Sequence, residues 1–370
     1  MNGIGSMRLL EIALGAALIA NGGIAYAGAP KAKFAYVASC SDDTVVQFKV
    51  KRNGLLKRNS PATATAGACP EALATVTLNG KQFVYANNTN DGTVSQYQIA
   101  ANGTLTPLTP ATVDLSGVDG GGLAFITANP QGSFVYATDF GPTVVQLKVN
   151  ADGTLSTNTP ASVTASGAST VFPLVDPSGK FLYVSEFGNN TVLQYKIGAD
   201  GKLTANTPPS IDTGGNPRNL AITPSGAFVY VPNLNDGTIS QYKTNSDGTL
   251  TANSPPTFNL PSDAGVTQVV VNNKGTFAFV PDENLNVVYQ LKINSDGTLA
   301  MNSPGSVPVA FADLMTLDGG GKFAYVDDAG SLLFQFKVNP KGKMKPNPNS
   351  SNSINAGSFN GQILLVPGGR

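Results

Sequence analysis

The sequence predicts an all-β protein, a seven-bladed β-propeller whose blades each contain four antiparallel strands. Two independent landmarks recur seven times along the 370 residues, at spacings of 45 to 51 residues. One is an aromatic residue inside an apolar run, and the other is a turn glycine of the Asp-Gly-Thr-Leu type. A fixed period of about 40 to 50 residues with four strands per repeat is typical of a propeller. The aromatic residues are Tyr36, Tyr85, Tyr136, Tyr183, Tyr230, Phe279 and Tyr325; the glycines are Gly54, Gly103, Gly153, Gly201, Gly248, Gly297 and Gly342.

The four strands of a blade are clearest in the segment from Gly215 to Pro256. Three apolar runs are separated by Pro-Ser-Gly and Asn-Asp-Gly, and a polar, proline-rich fourth run follows Asp-Gly. These glycine-containing pairs favour tight hairpins, so we label the strands A to D from the channel outward. Strand C contains a glutamine in every repeat, which predicts a bond between strands or blades. The glutamines are Gln47, Gln96, Gln146, Gln194, Gln241, Gln290 and Gln335.

The two ends of the chain are predicted to share one blade. The first repeat begins with its second strand at Phe34 and has no strand A before it. The segment Gly361 to Gly369 has the pattern of the missing strand. Pairing between these segments closes the ring without a free sheet edge.

Residues 1–29 lie outside the repeat and resemble a secretory signal peptide. Arg8 precedes an apolar segment that ends in small-x-small cleavage sites around Ala27. A retained membrane anchor is the alternative, although the break at Asn21-Gly22-Gly23 leaves the apolar run short of the ~20 residues that span a bilayer. We therefore expect a single propeller domain over 30–370 that is periplasmic or secreted, monomeric, and without a membrane segment after cleavage.

The composition excludes several functions. The chain has 23 basic and 23 acidic side chains, no histidine and no tryptophan. Balanced charge provides no general attraction to nucleic acid. The lack of histidine removes the usual general base and the commonest metal ligand, and leaves serine and cysteine without a histidine partner. No phosphate-binding or dinucleotide-binding glycine motif is present.

The propeller topology sorts the charged residues onto two faces. In a four-stranded meander, the A–B and C–D turns lie on one face, and the B–C and D–A loops lie on the other. Basic residues collect on the first face, and carboxylates collect on the second, around one mouth of the channel. This acidic face is predicted to bind a small molecule, a glycan or a protein. The predicted ligand-binding residues are Glu71, Asp139, Asp282, Glu283, Asp313 and Asp327.

Arg218 is the one arginine at the start of an inner strand on this face. Alignment of the repeats places Thr267 and Asp313 at equivalent ring positions, with Glu71 close to them. A guanidinium among carboxylates can orient an anionic or lactone-type ligand. The alternative is that Arg218 pairs with a neighbouring carboxylate and bridges two blades.

The two cysteines also fall on the acidic face. Cys40 lies in the B–C loop of the first blade, and Cys69 lies in the D–A loop that enters the second. In an exported protein we expect them to form a disulfide. We predict no cofactor, because two cysteines without histidine are a poor metal site. Calcium held by carboxylates of the acidic face is the alternative.

The segment that contains Arg218 resembles the lactonase-type seven-bladed propellers. It reads PRNLAITPSGAFVYV and is followed by DGTISQY and DGTL. This family includes bacterial 6-phosphogluconolactonase and carboxy-cis,cis-muconate cyclase, and the resemblance extends from about residue 32 to the end of the chain. Family enzymes typically have Gly-Pro-Arg-His-x-x-Phe-His-Pro, with Asn-Glu-Leu soon after strand B. Pro217 and Arg218 match, while Asn219 and Thr223 stand where the family has histidines.

The glutamate of the family pattern is displaced in this sequence. Leu234 stands at its position, and Ser185-Glu186-Phe187 resembles Asn-Glu-Leu one blade earlier. The resemblance therefore implies Arg218 and Glu186 as catalytic candidates, the first for orientation and the second as a base. Three hypotheses follow: a binding protein without the family's histidine-based site, a divergent lactone hydrolase or cyclase, and a calcium-assisted variant.

Overall fold

The computed structural model describes residues 32–118, 122–165, 169–261, 265–328, 330–348, 353–356 and 361–367. The predicted signal peptide lies outside these residues. The described chain forms seven antiparallel sheets, six with four strands and one with a fifth short strand. The prediction of an all-β, seven-bladed propeller is confirmed.

The strands follow one another blade by blade. Blade 1 contains β1 (Ala32–Ser39), β2 (Thr44–Val50) and β3 (Leu56–Thr65), with a short 3-10 helix over Cys40–Asp42. Blade 2 contains β4 (Pro70–Leu78), β5 (Lys81–Asn88), β6 (Thr93–Ile99) and β7 (Leu105–Asp114). Blade 3 contains β8 (Leu123–Ala128), β9 (Phe134–Asp139), β10 (Thr143–Val149) and β11 (Leu155–Thr164). Blade 4 contains β12 (Thr170–Val175), β13 (Phe181–Glu186), β14 (Thr191–Ile197) and β15 (Leu203–Asp212).

The last three blades have shorter inner strands. Blade 5 contains β16 (Ala221–Ile222), β17 (Phe228–Asn233), β18 (Thr238–Thr244) and β19 (Leu250–Asn259). Blade 6 contains β20 (Val270–Val271), β21 (Phe277–Asp282), β22 (Val287–Ile293) and β23 (Leu299–Pro308). Blade 7 contains β24 (Met315–Leu317), β25 (Phe323–Asp327), β26 (Leu332–Val338), β27 (Met344–Pro346) and β28 (Ser353–Asn355), and β29 (Ile363–Pro367) follows.

The C-terminal strand completes the N-terminal blade, as predicted. Strand β29 pairs antiparallel with β1, and Leu364 lies opposite Tyr36. The order of this sheet is β29-β1-β2-β3, so β29 takes the strand A position. Without β29, the inner edge of β1 would present unpaired backbone groups to the channel.

The repeated glutamine of strand C joins each blade to the next. In blade 3, the Gln146 Nε2 donates to the Pro160 carbonyl at 3.0 Å, and the Gln146 Oε1 accepts the Leu203 N–H of blade 4 at 2.6 Å. The same bond between blades 7 and 1 runs from the Leu56 N–H to the Gln335 Oε1 at 2.8 Å. These buried bonds confirm the predicted structural role of the glutamines.

The strand B tyrosine forms a second tie between blades. In blade 4, the Tyr183 hydroxyl donates to the Gly248 carbonyl of blade 5 at 2.9 Å. Gly248 has a φ of +82°, and a Cβ built there would lie 2.1 Å from the Phe181 ring. Only glycine fits a turn with this φ and this close approach. The ring of ties closes where the Tyr325 hydroxyl meets the Gly54 carbonyl at 2.7 Å.

The hydrophobic core lies between neighbouring sheets rather than in one central cluster. Between blades 5 and 6, for example, Ala221 and Tyr230 pack with Val269 and Leu291. Each blade therefore buries its apolar side chains against its neighbours. The starts of the inner strands line the channel mouth. No helix in the described ranges is long and apolar enough to cross a membrane.

Candidate functional site

The inner strands converge on one ring of positions at the channel mouth. In each blade, one residue of strand A pairs with the strand B aromatic. The ring position lies three residues before that strand A residue. The pairing registers place Arg218, Thr267 and Asp313 there in blades 5, 6 and 7. They also place Glu71 at this position in blade 2, not merely near it. The remaining members are Gly361, Ala124 and Val171.

Four polar residues from blades 5 to 7 form a mouth cluster: Arg218, Thr267, Glu283 and Asp313. The backbone fixes Arg218, whose N–H donates to the Pro232 carbonyl at 2.8 Å. The Thr267 hydroxyl donates to the backbone carbonyl of Asp313. Within the described chain, Arg218 Nε is buried and has no hydrogen-bond partner. A buried donor without a partner is costly, so the protein satisfies the guanidinium of the half-buried Arg218 only in part.

Asp313 is the carboxyl group that this cluster perturbs most clearly. Burial raises its pKa to about 6, and the nearby Glu283 carboxylate acts in the same direction. The Arg218 guanidinium and a hydrogen bond from Thr267 lower the pKa again, but by less. The cluster therefore contains a carboxyl group that changes charge near neutral pH beside a fixed positive charge.

The opposite side of the mouth is apolar. Phe125 and Phe172 follow the ring positions of blades 3 and 4, and their ring centroids lie 4.2 Å apart at a tilt of 45°. Phe172 is buried and packs with Leu220 of blade 5, while Phe125 is half-buried. The charged cluster thus has an aromatic pair on the other side of the ring, and the half-buried Phe125 is the member that keeps some exposed apolar surface.

Glu186 lies at the end of β13, where the B–C loop of blade 4 begins. Its side chain is 1% exposed, and its Oε2 accepts a hydrogen bond from the Thr191 hydroxyl at 2.7 Å. Its Oε1 is buried without a hydrogen-bond partner among the described residues. Asn88 occupies the same position in blade 2 and likewise bonds the first residue of strand C, Thr93. The contacts of Glu186 are therefore those of a loop-capping residue, and its catalytic role stays a prediction.

Three of the predicted ligand-binding carboxylates are buried in the same face. Asp139, Asp282 and Asp327 are at most 1% exposed, and one oxygen of each accepts backbone N–H groups. These bonds order the loops that surround the mouth, and a ligand-binding role for the three stays a prediction. The backbone N–H of Thr143 donates to Asp139, that of Gly265 donates to Asp282, and that of Leu314 donates to Asp327.

The predicted disulfide is confirmed. Cys40 and Cys69 are bonded with an S–S distance of 1.94 Å, and Glu71 Oε1 lies 3.7 Å from Cys69 Sγ. Burial raises the pKa of Glu71, while a hydrogen bond from Thr89 lowers it. Among the described residues, these two cysteines and Glu71 are the only group of three side chains with metal-ligand atoms close together. Because both sulfurs are in the disulfide, this group is not a metal centre, and the described carboxylates provide no calcium cluster.

The two positions where the family has histidines lie at opposite ends of the inner strand. Asn219 is next to the mouth, and its N–H donates to the Thr267 carbonyl at 3.2 Å. Thr223 lies four residues further on, roughly 13 Å along an extended chain. Its hydroxyl oxygen accepts the Phe228 N–H at 3.1 Å in the A–B turn. The sequence spacing did not show that, of these two positions, only that of Asn219 lies next to the mouth.

Comparison with known proteins agrees with this architecture. The family model for the lactonases with a seven-bladed β-propeller matches residues 26–166 and 153–255, and the chain belongs to this family. No curated protein matches the sequence.

Solved structures give the same fold at low identity. A candidate 6-phosphogluconolactonase from Bacteroides fragilis is 19% identical, with a TM-score of 0.75 over 91% of this chain and 98% of that one. The periplasmic gluconolactonase of Pseudomonas aeruginosa is 17% identical, with a TM-score of 0.76 over 90% and 99%. Hydrazine synthase of Kuenenia stuttgartiensis is 16% identical, with a TM-score of 0.58 over 78% and 87%. At these identities the likeness establishes the fold alone.

Proposed function

We propose that this chain is an exported lactonase-family propeller that binds a small anionic or lactone-type molecule at its acidic mouth, without the family's histidine-based site. The observation that carries the proposal is the half-buried Arg218 guanidinium in the described mouth cluster, which has no ion pair within 4.0 Å among the described residues and whose Nε has no hydrogen-bond partner there. Arg218 is also the one described basic residue on this face. Its planar guanidinium suits a carboxylate or a polarised carbonyl oxygen.

Two further features support a small organic ligand over a bare ion. The Phe125–Phe172 pair offers apolar surface to the carbon skeleton of a ligand. Thr267 and Asp313 offer hydroxyl and carboxyl oxygens to its hydroxyl groups. The end of a glycan chain would fit the same site at the mouth. A protein partner would instead bind to the loops that surround the mouth.

Export is supported by the disulfide and by the signal-like segment before the propeller. Disulfides persist in oxidising compartments and are rare in the cytosol. The P. aeruginosa structure that shares this fold is described as periplasmic.

Lactone hydrolysis is the second candidate, and Asp313 is the observation that favours it. With a pKa of about 6, Asp313 is mostly ionised at neutral pH and is suited to a general base. It would take a proton from water as the water oxygen attacks the lactone carbonyl, while Arg218 stabilises the developing oxyanion. The ring C–O bond then breaks, and the leaving oxygen takes the proton from Asp313, which gives a hydroxy acid and restores the carboxylate. Asp313, rather than Glu186, is the carboxyl group that lies beside Arg218.

One experiment tests both candidates. Glucono-δ-lactone, other aldonolactones and gluconate are titrated into the protein by calorimetry, and hydrolysis is followed as acid release at constant pH. We expect binding that is lost in Arg218→Gln and kept in Lys180→Gln, a variant of the opposite face. Hydrolysis that is lost in both Arg218→Gln and Asp313→Asn would favour the enzyme. Absence of binding and turnover, or unchanged binding in Arg218→Gln, would contradict both.

A further inference from the structure

The junction between blades 6 and 7 differs from the other six. In every other blade the strand B aromatic is a tyrosine whose hydroxyl donates to the turn glycine carbonyl of the next blade. Blade 6 has Phe279 at this position, so no hydroxyl reaches Gly342 of blade 7. The Gly342 carbonyl instead accepts a long bond of 3.4 Å from Asn302.

A groove opens where this tie is missing. It has a volume of about 360 Å³, lies on the face of the A–B and C–D turns, and includes both Phe279 and Gly342 in its walls. The rings of Phe277 and Phe323 line it above Phe279. A groove on the same face at blades 3 to 5 is lined by Phe134 and Phe181 but reaches no strand B tyrosine. The missing hydroxyl therefore coincides with a groove whose floor is the strand B aromatic, a ring that is itself buried.

Three lysines line this groove, and no carboxylate does. Lys274 and Lys322 come from the A–B turns of blades 6 and 7, and Lys337 comes from the end of β26. In the described chain, none of the three lies within 4.0 Å of a carboxylate oxygen. The groove of blades 3 to 5 contains Asp247 beside its lysines. The groove between blades 6 and 7 therefore combines unneutralised positive charge with aromatic walls.

The burial of Lys337 is a further sign that this groove is distinct. Five other blades have a lysine at the same position of strand C, and each of those side chains is exposed; Lys337 alone is half-buried. A half-buried lysine side chain without a carboxylate partner holds its ammonium close to the groove wall, where an anion in the groove would pair with it. The five exposed lysines are Lys49, Lys148, Lys196, Lys243 and Lys292.

We propose that the groove between blades 6 and 7 is a second binding site, for a small organic anion with a flat aromatic group. The aromatic group inserts between Phe277 and Phe323 toward the buried Phe279 ring, next to the place that a tyrosine hydroxyl fills in the other blades. The anionic group, a phosphate, sulfonate or carboxylate, is bound by Lys322, Lys337 and Lys274. A volume of about 360 Å³ matches the lower end of small-molecule pockets. This site lies on the face opposite the mouth cluster and does not depend on it.

Phenyl phosphate tests the proposal by calorimetric titration of the protein at low salt. We expect one phenyl phosphate per chain, with inorganic phosphate binding more weakly because it lacks the ring. Phe279→Tyr should weaken binding by at least about tenfold, since the hydroxyl occupies the end of the groove. The melting temperature of this variant should be equal or higher, because it restores the tie to Gly342. Lys337→Gln should weaken binding by about threefold or more, and the matched variant Lys148→Gln should leave it unchanged.

Two results would overturn this site. One is the absence of phenyl phosphate binding to the wild-type protein at millimolar concentration. The other is equal binding by wild type, Phe279→Tyr and Lys337→Gln, which would place the ligand elsewhere. Because six blades already have tyrosine at this position, Phe279→Tyr is expected to fold, and Lys337→Gln tests the site independently.

Discussion

Single residues differ between the seven blades at both of the proposed binding sites. Arg218 stands at a ring position that varies from blade to blade, the others having threonine, valine, alanine, glycine or a carboxylate. Phe279 stands where the other blades have tyrosine. At positions that the repeats share, the same contacts constrain the residue in each blade. A different residue at such a buried position therefore marks a local difference between the blades.

The first prediction concerns the pH dependence of binding at the mouth. Ionised Asp313 competes with an anionic ligand for Arg218, and its pKa is raised to about 6. Affinity for gluconate should therefore fall several-fold from pH 5 to pH 8, with a midpoint near pH 6, and Asp313→Asn should flatten the profile. Calorimetry at constant ionic strength measures this. A profile for the wild-type protein as flat as that of Asp313→Asn would contradict the assignment.

The same group has a defined effect on stability. The pKa of Asp313 is higher in the folded chain than in the unfolded one, so between about pH 4 and pH 6 the native state holds more protons. The free energy of unfolding contributed by Asp313 therefore decreases as the pH rises through this window. If the mouth were instead a hydrolase site, turnover would increase through the same window as Asp313 ionises, which separates the two proposed functions.

At the scale of elements, strand C is the part of each blade that joins it to the next. Its glutamine is buried and makes a donor bond within the blade and an acceptor bond to the following one. The carbonyl and amide that it satisfies are far apart in sequence, so one side chain fixes both the path of strand D and the position of the next blade.

The second prediction tests this tie with Gln194→Met. Methionine has similar length but neither donates nor accepts strongly, so the Pro208 carbonyl and the Leu250 N–H lose their buried partner. The expected loss is about 2–4 kcal/mol of unfolding free energy. Gln98→Met is the matched control, because Gln98 is also in strand C but is half-buried and its side chain has no hydrogen bond among the described residues. Denaturant titration of both variants measures the difference, and equal stability would refute the role.

The third prediction concerns the disulfide, which connects the loop after β1 to the loop before β4. It closes a loop with a sequence separation of 29 residues. On the chain-entropy model, a crosslink of this length contributes about 3–4 kcal/mol. The double variant Cys40→Ser with Cys69→Ser should lose that amount, and wild type with a thiol reductant should converge on it. If reduction leaves the denaturation midpoint unchanged, the crosslink does not contribute to stability.

At the scale of the whole molecule, zero net charge conceals a separation of charge. Every described lysine lies on the face of the A–B and C–D turns, whereas Arg218 is the only described cation on the other face. The acidic face carries most of the described carboxylates. Charge arranged in this way creates opposite potentials at the two mouths of the channel.

The fourth prediction follows from this separation. At pH 6.3, near the isoelectric point, the protein should be retained by both a cation exchanger and an anion exchanger at low ionic strength. Salt near 0.15 M should elute it from both, because the Debye length then shortens to about 8 Å. A protein whose charges were evenly mixed would pass through both columns, and that result would contradict the separation.

The amino-acid sequence by itself determined the fold. Seven copies of one strand pattern, a missing first strand and its counterpart at the C-terminus predicted the closed ring, because hydrophobic alternation and turn glycines are local properties. The disulfide was predictable for a similar reason, since the meander brings Cys40 and Cys69 to one face even though they are distant in sequence.

Only the tertiary structure decided which charged residues are buried and which lie together. The sequence placed ten carboxylates on one face, and the structure adds that Asp139, Asp282 and Asp327 are buried and accept backbone hydrogen bonds that order the loops. Arg218, Glu283 and Asp313 come from three different blades, and the effect of the first two on the pKa of Asp313 depends on distances and burial between these blades. The groove at Phe279 also depends on the tertiary structure. The missing tyrosine hydroxyl matters only because, in the other blades, that hydroxyl contacts the turn glycine of the neighbouring blade. Strand pattern is set by neighbours in sequence, whereas the site is set by contacts between blades.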